Sequence, residues 1–96
     1  MKYFTLGIHY PKLEHKEDIL GAIKKVADIA RTLPGLIESG AWYDEAGDRI
    51  IMMSLWESEE IALKASGTLR PLIMQSPWAE WERKPSESFL GLKQVV

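Results

Sequence analysis

Hydrophobic and polar residues alternate along the start of the chain, from residue 2 to residue 10. One set of alternate positions is large and apolar, and the other set includes smaller or polar side chains. The two sets are Phe4, Leu6, Ile8 and Tyr10 on one side and Tyr3, Thr5, Gly7 and His9 on the other. A period of two is typical of a β-strand whose faces meet different surroundings. The pattern predicts a strand that ends at Pro11.

A helical period follows, from about residue 14 to residue 33. Steps of three and four separate the apolar positions Ile19, Ile23, Val26, Ala30 and Leu33. Such spacing places these side chains on one face, so we predict an amphipathic helix that Pro34 and Gly35 stop. Gly21 lies inside this helix at a cost of about 1 kcal/mol relative to alanine. Its presence predicts a close approach to another backbone.

The second half of the chain predicts two strands, broken helical segments and a last strand. The strands cover residues 36–43 and 49–56, joined by an acidic turn that contains Gly47. Ser58 is a favourable N-cap for a short helix that we expect to end near Gly67. Pro71 and Pro77 each follow a possible cap, which predicts further helical pieces. Residues 88–96 have the apolar content of a final strand.

This order of elements predicts an α+β ferredoxin-like fold (split βαβ) over a single domain, residues 1–96. Its four-stranded antiparallel sheet carries helices on one face only. The open face would expose large apolar side chains to water, and a second sheet would cover them. We therefore predict a homodimer, with the two sheets packed together as a dimeric α/β barrel. The predicted contact residues are Phe4, Leu6, Ile8, Ile51, Met53 and Leu55.

Composition narrows the functional classes. The chain is 46% hydrophobic and 27% charged, and its formal charge of −2 is scattered, which disfavours nucleic-acid binding. No apolar run approaches the roughly 20 residues that span a bilayer, so we expect a cytoplasmic protein without membrane contact. The absence of cysteine excludes disulfides, thiolate metal sites and cysteine nucleophiles. Two histidines without cysteine do not suggest a metal site.

The junctions between elements resemble a known family, the antibiotic biosynthesis monooxygenase-like group of the dimeric α/β-barrel proteins. The matching features are Pro34-Gly35-Leu36 before the second strand, the acidic turn Asp44-Glu45, and the Leu-Trp-Glu-Ser-Glu-Glu run at residues 55–60. The resemblance covers essentially the whole chain. It implies the oxidation of an electron-rich aromatic substrate between sheet and helices, with no flavin, metal or other cofactor.

The resemblance also bears on haem degradation, which some relatives perform. Those relatives typically have an Asn on the first strand, a Trp on the helix after strand three and a His further on. The matching positions here are Gly7, Ala65 and the Ile-Met-Gln run at residues 73–75. Haem oxygenase activity is therefore disfavoured. For the monooxygenase members, the Trp at the end of strand three matches Trp56, which would shape a pocket.

His9 is the candidate catalytic residue because it ends the first strand on the face that carries Thr5 and Gly7. If that face lies under the helices, these small residues leave room for a substrate, and His9 could act as an acid or base. The alternative is a structural histidine that bonds to a nearby carbonyl or carboxylate. His15, at the start of the first helix, is a weaker candidate.

Four tryptophans could form aromatic walls for a flat apolar ligand. We predict a substrate pocket that includes Trp56, Trp78 and Met74, with Arg70 orienting an acidic or phenolate group. The alternative is that the aromatic side chains fill the core or a dimer interface.

Two functions from different classes therefore stay open. The first is a cofactor-independent monooxygenase or related oxidoreductase that acts on a small aromatic molecule of the quinol or polyketide type. The second is a non-catalytic binding or sensing module with the same fold and a small apolar or aromatic ligand. A third possibility, a purely structural dimer, predicts that the space between sheet and helices is filled.

Overall fold

The computed structural model describes residues 1–96 and contains four strands and three α-helices in the predicted order. In chain order these are β1 (Tyr3–His9), α1 (Lys16–Ala30), β2 (Leu36–Asp44), β3 (Arg49–Trp56), α2 (Glu59–Ile73), α3 (Trp78–Trp81) and β4 (Glu87–Leu92). A single 3₁₀ turn, Leu13–His15, leads into α1. None of the helices is long and apolar enough to cross a bilayer.

The strands form one antiparallel sheet in the order β2-β3-β1-β4. β1 and β3 are its central strands, and their register places His9 opposite Ile50 and Thr5 opposite Ser54. The predicted α+β ferredoxin-like fold is confirmed. Because side chains alternate between faces, the register also decides which residues lie beneath the helices.

Two apolar clusters hold the helices against the sheet. At one end Ile19 and Ile23 of α1 pack on Ile50, and at the other end Ala62 and Ala65 of α2 pack on Trp56. Ile50 and Trp56 are register partners of His9 and Tyr3. The face of β1 that carries Tyr3, Thr5, Gly7 and His9 therefore lies on the helix side of the sheet.

The opposite face of the sheet is apolar and uncovered within one chain. The six residues predicted for this face are half-buried, namely Phe4, Leu6, Ile8, Ile51, Met53 and Leu55. By register Trp42, Phe89 and Leu92 extend the same surface, and they are 57%, 40% and 41% exposed. We call this surface the open sheet face.

α2 is longer than the sequence pattern predicts. The prediction that it ends near Gly67, with a new segment at Pro71, is wrong because the helix continues to Ile73. Ser58 caps its start by accepting a hydrogen bond from the backbone N–H of Ile61 at 3.2 Å. The apolar stripe Ala62, Ala65 and Leu69 packs on the Trp56 cluster. This packing outweighs the low intrinsic helix propensity of glycine and proline.

Two smaller expectations are also wrong. An ideal Cβ at Gly21 would meet nothing within 4 Å, so no other backbone approaches this glycine within the chain. β4 ends at Leu92 rather than continuing to residue 96. Gly91 has a φ of +68°, a left-handed conformation that interrupts regular strand geometry.

Candidate functional site

His9 forms a hydrogen-bonded pair with Glu82 at the end of β1. The imidazole Nδ1 lies 3.2 Å from Glu82 Oε1, and the same oxygen accepts the backbone N–H of Tyr10 at 3.0 Å. Glu82 is only 8% exposed, so its carboxylate requires such donors. A carboxylate can only accept, which places the imidazole proton on Nδ1. In the neutral imidazole Nε2 is then an acceptor, and it has no hydrogen-bond partner in the chain.

The segment after α3 brings Glu82 to this position by pairing with the residues that follow β1. The backbone N–H of Lys12 donates to the carbonyl of Trp81 at 2.8 Å, and that of Arg83 donates to the carbonyl of Tyr10 at 2.9 Å. The Arg83 guanidinium also donates to the carbonyls of Pro11 and Asp48, at 3.0 and 2.8 Å. These bonds hold the carboxylate beside the end of the strand.

Trp78 supports the other side of the histidine. Its ring stacks on the His9 imidazole, with the centroids 4.8 Å apart and the planes 24° from parallel. The indole N–H donates to the carbonyl of Ile73 at 2.7 Å, and Trp81 contacts the Trp78 ring edge-on at 5.6 Å. Both tryptophans pack against the Ile19 cluster of the core. The orientation of Trp78 is thus determined by contacts on several sides.

An open cleft of about 380 Å³ lies next to this pair. Its lining residues are Trp78, Ala79, Glu82, Lys84, Pro85 and Ser86. We call it the Trp78 cleft. His9 does not line the cleft, but its imidazole contacts two residues that do, Trp78 and Glu82. The structure thus brings together the predicted residues His9 and Trp78. Glu82 and Lys84 complete this site.

Three other predicted residues lie elsewhere on the helix side of the sheet. Thr5 Oγ1 is 2.5 Å from Ser54 Oγ, which also accepts the indole N–H of Trp56 at 3.0 Å. Trp56 is 3% exposed and belongs to the core. A Cβ at Gly7 would lie 3.2 Å from Met52 Cγ, so Met52 occupies the room that the glycine leaves. None of these residues lines the Trp78 cleft.

Arg70 and Met74 lie at the end of α2 and line neither the Trp78 cleft nor a second cleft between α1 and α2. Met74 is 72% exposed, and the Arg70 side chain makes no ion pair. The second cleft, of about 270 Å³, lies between the end of α1 and α2. It is lined by Leu33, Pro34, Ile61, Lys64, Ala65 and Thr68.

Sequence reasoning missed Glu82 and Lys84. Both belong to a segment without a periodic pattern, so nothing local indicates that the chain returns there to β1. The one available signal is that a carboxylate directly follows the Trp78 and Trp81 pair. No group of three or more histidine, aspartate and glutamate side chains is arranged to hold a metal ion.

Charged and phenolic groups also meet at the end of the open sheet face. The Tyr10 hydroxyl donates to the Glu87 carboxylate, and this bond, together with burial, raises the pKa of Tyr10. Arg49 Nε donates to Asp44 Oδ2 at 2.8 Å, which lowers the pKa of Asp44. These polar pairs border the apolar part of that face.

Comparison with solved structures supports the fold. Rv0793 from Mycobacterium tuberculosis superimposes with a TM-score of 0.82 at 10% identity, covering 100% of both chains. A structure of an antibiotic biosynthesis monooxygenase superimposes with a TM-score of 0.80 at 12% identity, and the match covers 98% of this chain and 99% of that one. SnoaB from Streptomyces nogalater, described as a cofactor-independent oxygenase, gives 0.80 at 9% identity over 99% and 95% of the two chains.

These similarities lie in the backbone rather than in the sequence. No protein family profile matches the chain, and no curated protein matches it significantly. The chain therefore has the fold of antibiotic biosynthesis monooxygenase-like structures, as the resemblance in its junctions implies. At this level of identity the likeness describes architecture, and any activity must be argued from the site.

Proposed function

We propose, from the premise that the chain shares this fold, that it oxidises a small electron-rich aromatic molecule with O2, without a flavin or metal. The observation that carries the proposal is the His9–Glu82 pair: the imidazole stacks on Trp78, and both Trp78 and Glu82 line an open cleft. One solved neighbour with the same fold is described as a cofactor-independent oxygenase. A substrate that reacts directly with O2 must first be deprotonated, and the site offers a base for that step.

Each residue has a distinct role in this proposal. His9 Nε2 is the base, because Nδ1 is engaged with Glu82 and Nε2 is free to take a proton. Glu82 is a positioning residue that fixes the ring and its tautomer and stabilises the imidazolium. Trp78 provides a flat apolar surface for an aromatic ring.

The proposed reaction balances for an anthrone-like substrate with an activated methylene carbon. His9 removes one proton, and the resulting anion gives its electrons to O2 to form a peroxide on that carbon. The second carbon-bound hydrogen then leaves as a proton while the O–O bond breaks. One oxygen atom remains as the carbonyl, and the other leaves in water with the two hydrogens.

Oxygen uptake with anthrone-like phenols and hydroquinones tests the proposal. We expect turnover by the unaltered protein, a loss of about 100-fold or more for His9→Gln, and a smaller loss for Glu82→Gln. His15→Gln is the matched control, because His15 also bonds a carboxylate, Asp18 at 2.9 Å, but its ring faces Trp81 and not Trp78, which lines the cleft. Absence of oxygen uptake above buffer, or equal loss in His9→Gln and His15→Gln, would contradict it.

A second candidate function is non-catalytic binding of a small aromatic ligand. It is favoured by the Met52 side chain, which fills the space over Gly7, and by the lining of the Trp78 cleft, which does not include His9. A ligand that raises the melting temperature without being consumed, equally in the unaltered protein and His9→Gln, would support this candidate.

The predicted pocket between the sheet and the helices remains part of the proposal. Thr5, Gly7 and Trp56 could contact a substrate there only if the Met52 side chain moved from its position over Gly7. Methionine is unbranched and adaptable, which makes such a movement inexpensive. Arg70 and Met74 would then lie at the end of α2 that borders this space.

We also propose that the protein is a homodimer joined through the open sheet face. The apolar residues of that face are half-buried or exposed within one chain. A second copy of the same face would remove them from water in a self-complementary contact. The charged pairs around Tyr10 and Arg49 would form the rim of the interface.

A further inference from the structure

The proposed base is covered in the structure. The His9 side chain is only 14% exposed, and His9 does not line the Trp78 cleft. Two residues that do line the cleft contact the imidazole, Trp78 over one ring face and Glu82 at Nδ1. A general base must come within hydrogen-bond distance of the proton that it removes. Trp78 or Glu82 therefore has to move before a substrate in the cleft can touch His9.

Glu82 is held firmly. Its side chain is buried, and Oε1 accepts from both the His9 imidazole and the backbone N–H of Tyr10. The next residue, Arg83, donates through its guanidinium to two carbonyls of the turn between β2 and β3. Movement of Glu82 would leave a buried carboxylate without donors, which is costly. Glu82 is therefore the immobile side of the histidine.

Trp78 is held by contacts that are easier to exchange. It is half-buried, and its indole N–H donates to the carbonyl of Ile73 at an exposed position, where water can replace the bond. α3 is a single turn of four residues, and its N-cap Pro77 makes no side-chain hydrogen bond. The adjoining cleft of about 380 Å³ gives the indole room to turn. Contacts with Trp81 and the Ile19 cluster keep the covering position the favoured one.

We propose that Trp78 is a gate over His9. In the closed position, which is the one in the structure, the indole covers the imidazole. In the open position the indole turns away, and the cleft becomes continuous with His9. An aromatic molecule that takes the place of the indole against the imidazole binds only the open position and so increases its population. This inference concerns access to the same site and rests on the proposed function.

Chemical modification of the histidines tests the gate without any turnover. Diethyl pyrocarbonate acylates accessible imidazole nitrogens, and tryptic cleavage after Lys12 separates the His9 peptide from the His15 peptide for mass spectrometry. If His9 reacts only from an open position populated at about 1–10%, Trp78→Ala should raise its rate by about 10- to 100-fold. Trp42→Ala is the matched control and should leave the rate unchanged, because Trp42 lies on the open sheet face.

Two further measurements keep the test from depending on one variant. Trp78→Phe keeps a ring over the imidazole but lacks the N–H that bonds Ile73, so its His9 rate should lie between those of the unaltered protein and Trp78→Ala. In the unaltered protein the His9 rate should stay nearly constant in urea below the unfolding transition, because a side-chain rotation exposes little surface. A His9 rate that is unchanged in Trp78→Ala, or that rises with urea in step with global unfolding, would overturn the inference.

The modification rates also separate the gate from the proposed function, because they require no oxygen uptake. Faster modification of His9 in Trp78→Ala, without oxygen uptake for any phenol, supports the gate and removes the proposed reaction. Oxygen uptake that depends on His9, together with a His9 modification rate that is the same in Trp78→Ala and the unaltered protein, removes the gate and keeps the reaction.

Discussion

At the scale of single residues, the site depends on one buried carboxylate. Glu82 is buried, and its carboxylate accepts hydrogen bonds from two consecutive residues. The donors are the His9 imidazole and the backbone N–H of Tyr10. A buried carboxylate without donors would be costly, so these bonds stabilise both the local fold and the orientation of the imidazole. The same contact therefore serves the structural role of His9 and its proposed catalytic role.

Gly21 provides a prediction at this scale. It is exposed in the middle of α1, and an added methyl group would meet nothing within 4 Å. Gly21→Ala should increase the free energy of unfolding by about 0.5–1 kcal/mol, because alanine loses less conformational entropy on entering a helix. Urea denaturation measures this change.

Gly35→Ala is the contrasting variant for the same experiment. Gly35 has a φ of +86°, and a Cβ there would lie 2.3 Å from Ile61 Cγ2. Its replacement should lower stability through backbone strain and overlap. A destabilised Gly21→Ala protein would contradict the prediction and indicate that a second copy packs closely against α1.

At the scale of elements, packing outweighs local propensity. α2 continues through Gly67 and Pro71 because its apolar stripe completes the core around Trp56. The turn between β2 and β3 is fixed differently, by polar contacts. Arg49 bonds Asp44 within the hairpin, and Arg83 connects the turn to the segment after α3. The position of the site thus depends on a hairpin held by charged side chains.

The hairpin gives a prediction about pH. The bond from Arg49 lowers the pKa of Asp44, so the ionised carboxylate is favoured in the folded state. This stabilisation is present above the ordinary aspartate pKa of about 3.9 and is lost as the pH falls through the lowered value. Asp44→Asn should therefore lower the melting temperature at pH 7, and the difference should vanish in strong acid.

Glu45→Gln is the control for this measurement, because Glu45 lies in the same turn and makes no ion pair. Melting curves at several pH values should show only a small difference in melting temperature between Glu45→Gln and the unaltered protein at every pH. A melting temperature of Asp44→Asn that stays below that of the unaltered protein by the same amount at every pH would contradict the ion-pair explanation.

At the scale of the whole molecule, the fold has two layers, a sheet and its helices, and one face of the sheet is uncovered. Helices shield one face of the sheet, and the extent of 18 Å along the shortest axis reflects a single sheet under a single helix layer. Only 11 of the 96 residues are buried, which is a small core for a stable domain. Association of two sheets would enlarge that core.

The oligomeric state is therefore a prediction at this scale. Light scattering should give twice the chain mass of 10.9 kDa at micromolar concentration. Leu6→Lys places an unpaired charge in the centre of the open sheet face and should weaken association by about 100-fold or more. Leu63→Lys, on the exposed side of α2, should remain dimeric. A monomer mass for the unaltered protein would contradict the proposed dimer.

The sequence by itself determined the kinds of element, their order and the faces on which the apolar residues of β1, α1 and β3 lie. Periods of two and of about 3.6 are properties of neighbouring residues, so β1 and α1 could be predicted from these periods, and β3 from its continuous apolar run. The open sheet face followed from the same alternation, residue by residue. Local patterns failed where packing decided, at Gly67 and Pro71 of α2.

Only the tertiary structure decided which side chains meet. His9 and Glu82 are 73 positions apart, and their contact depends on the segment after α3 pairing with the end of β1. The same holds for Met52, which fills the room over Gly7, and for Lys84, which lies over Tyr10. Such contacts depend on strand register and on the path of a non-periodic segment. Neither property is encoded by the spacing of neighbouring residues, because each arises from packing between distant parts of the chain.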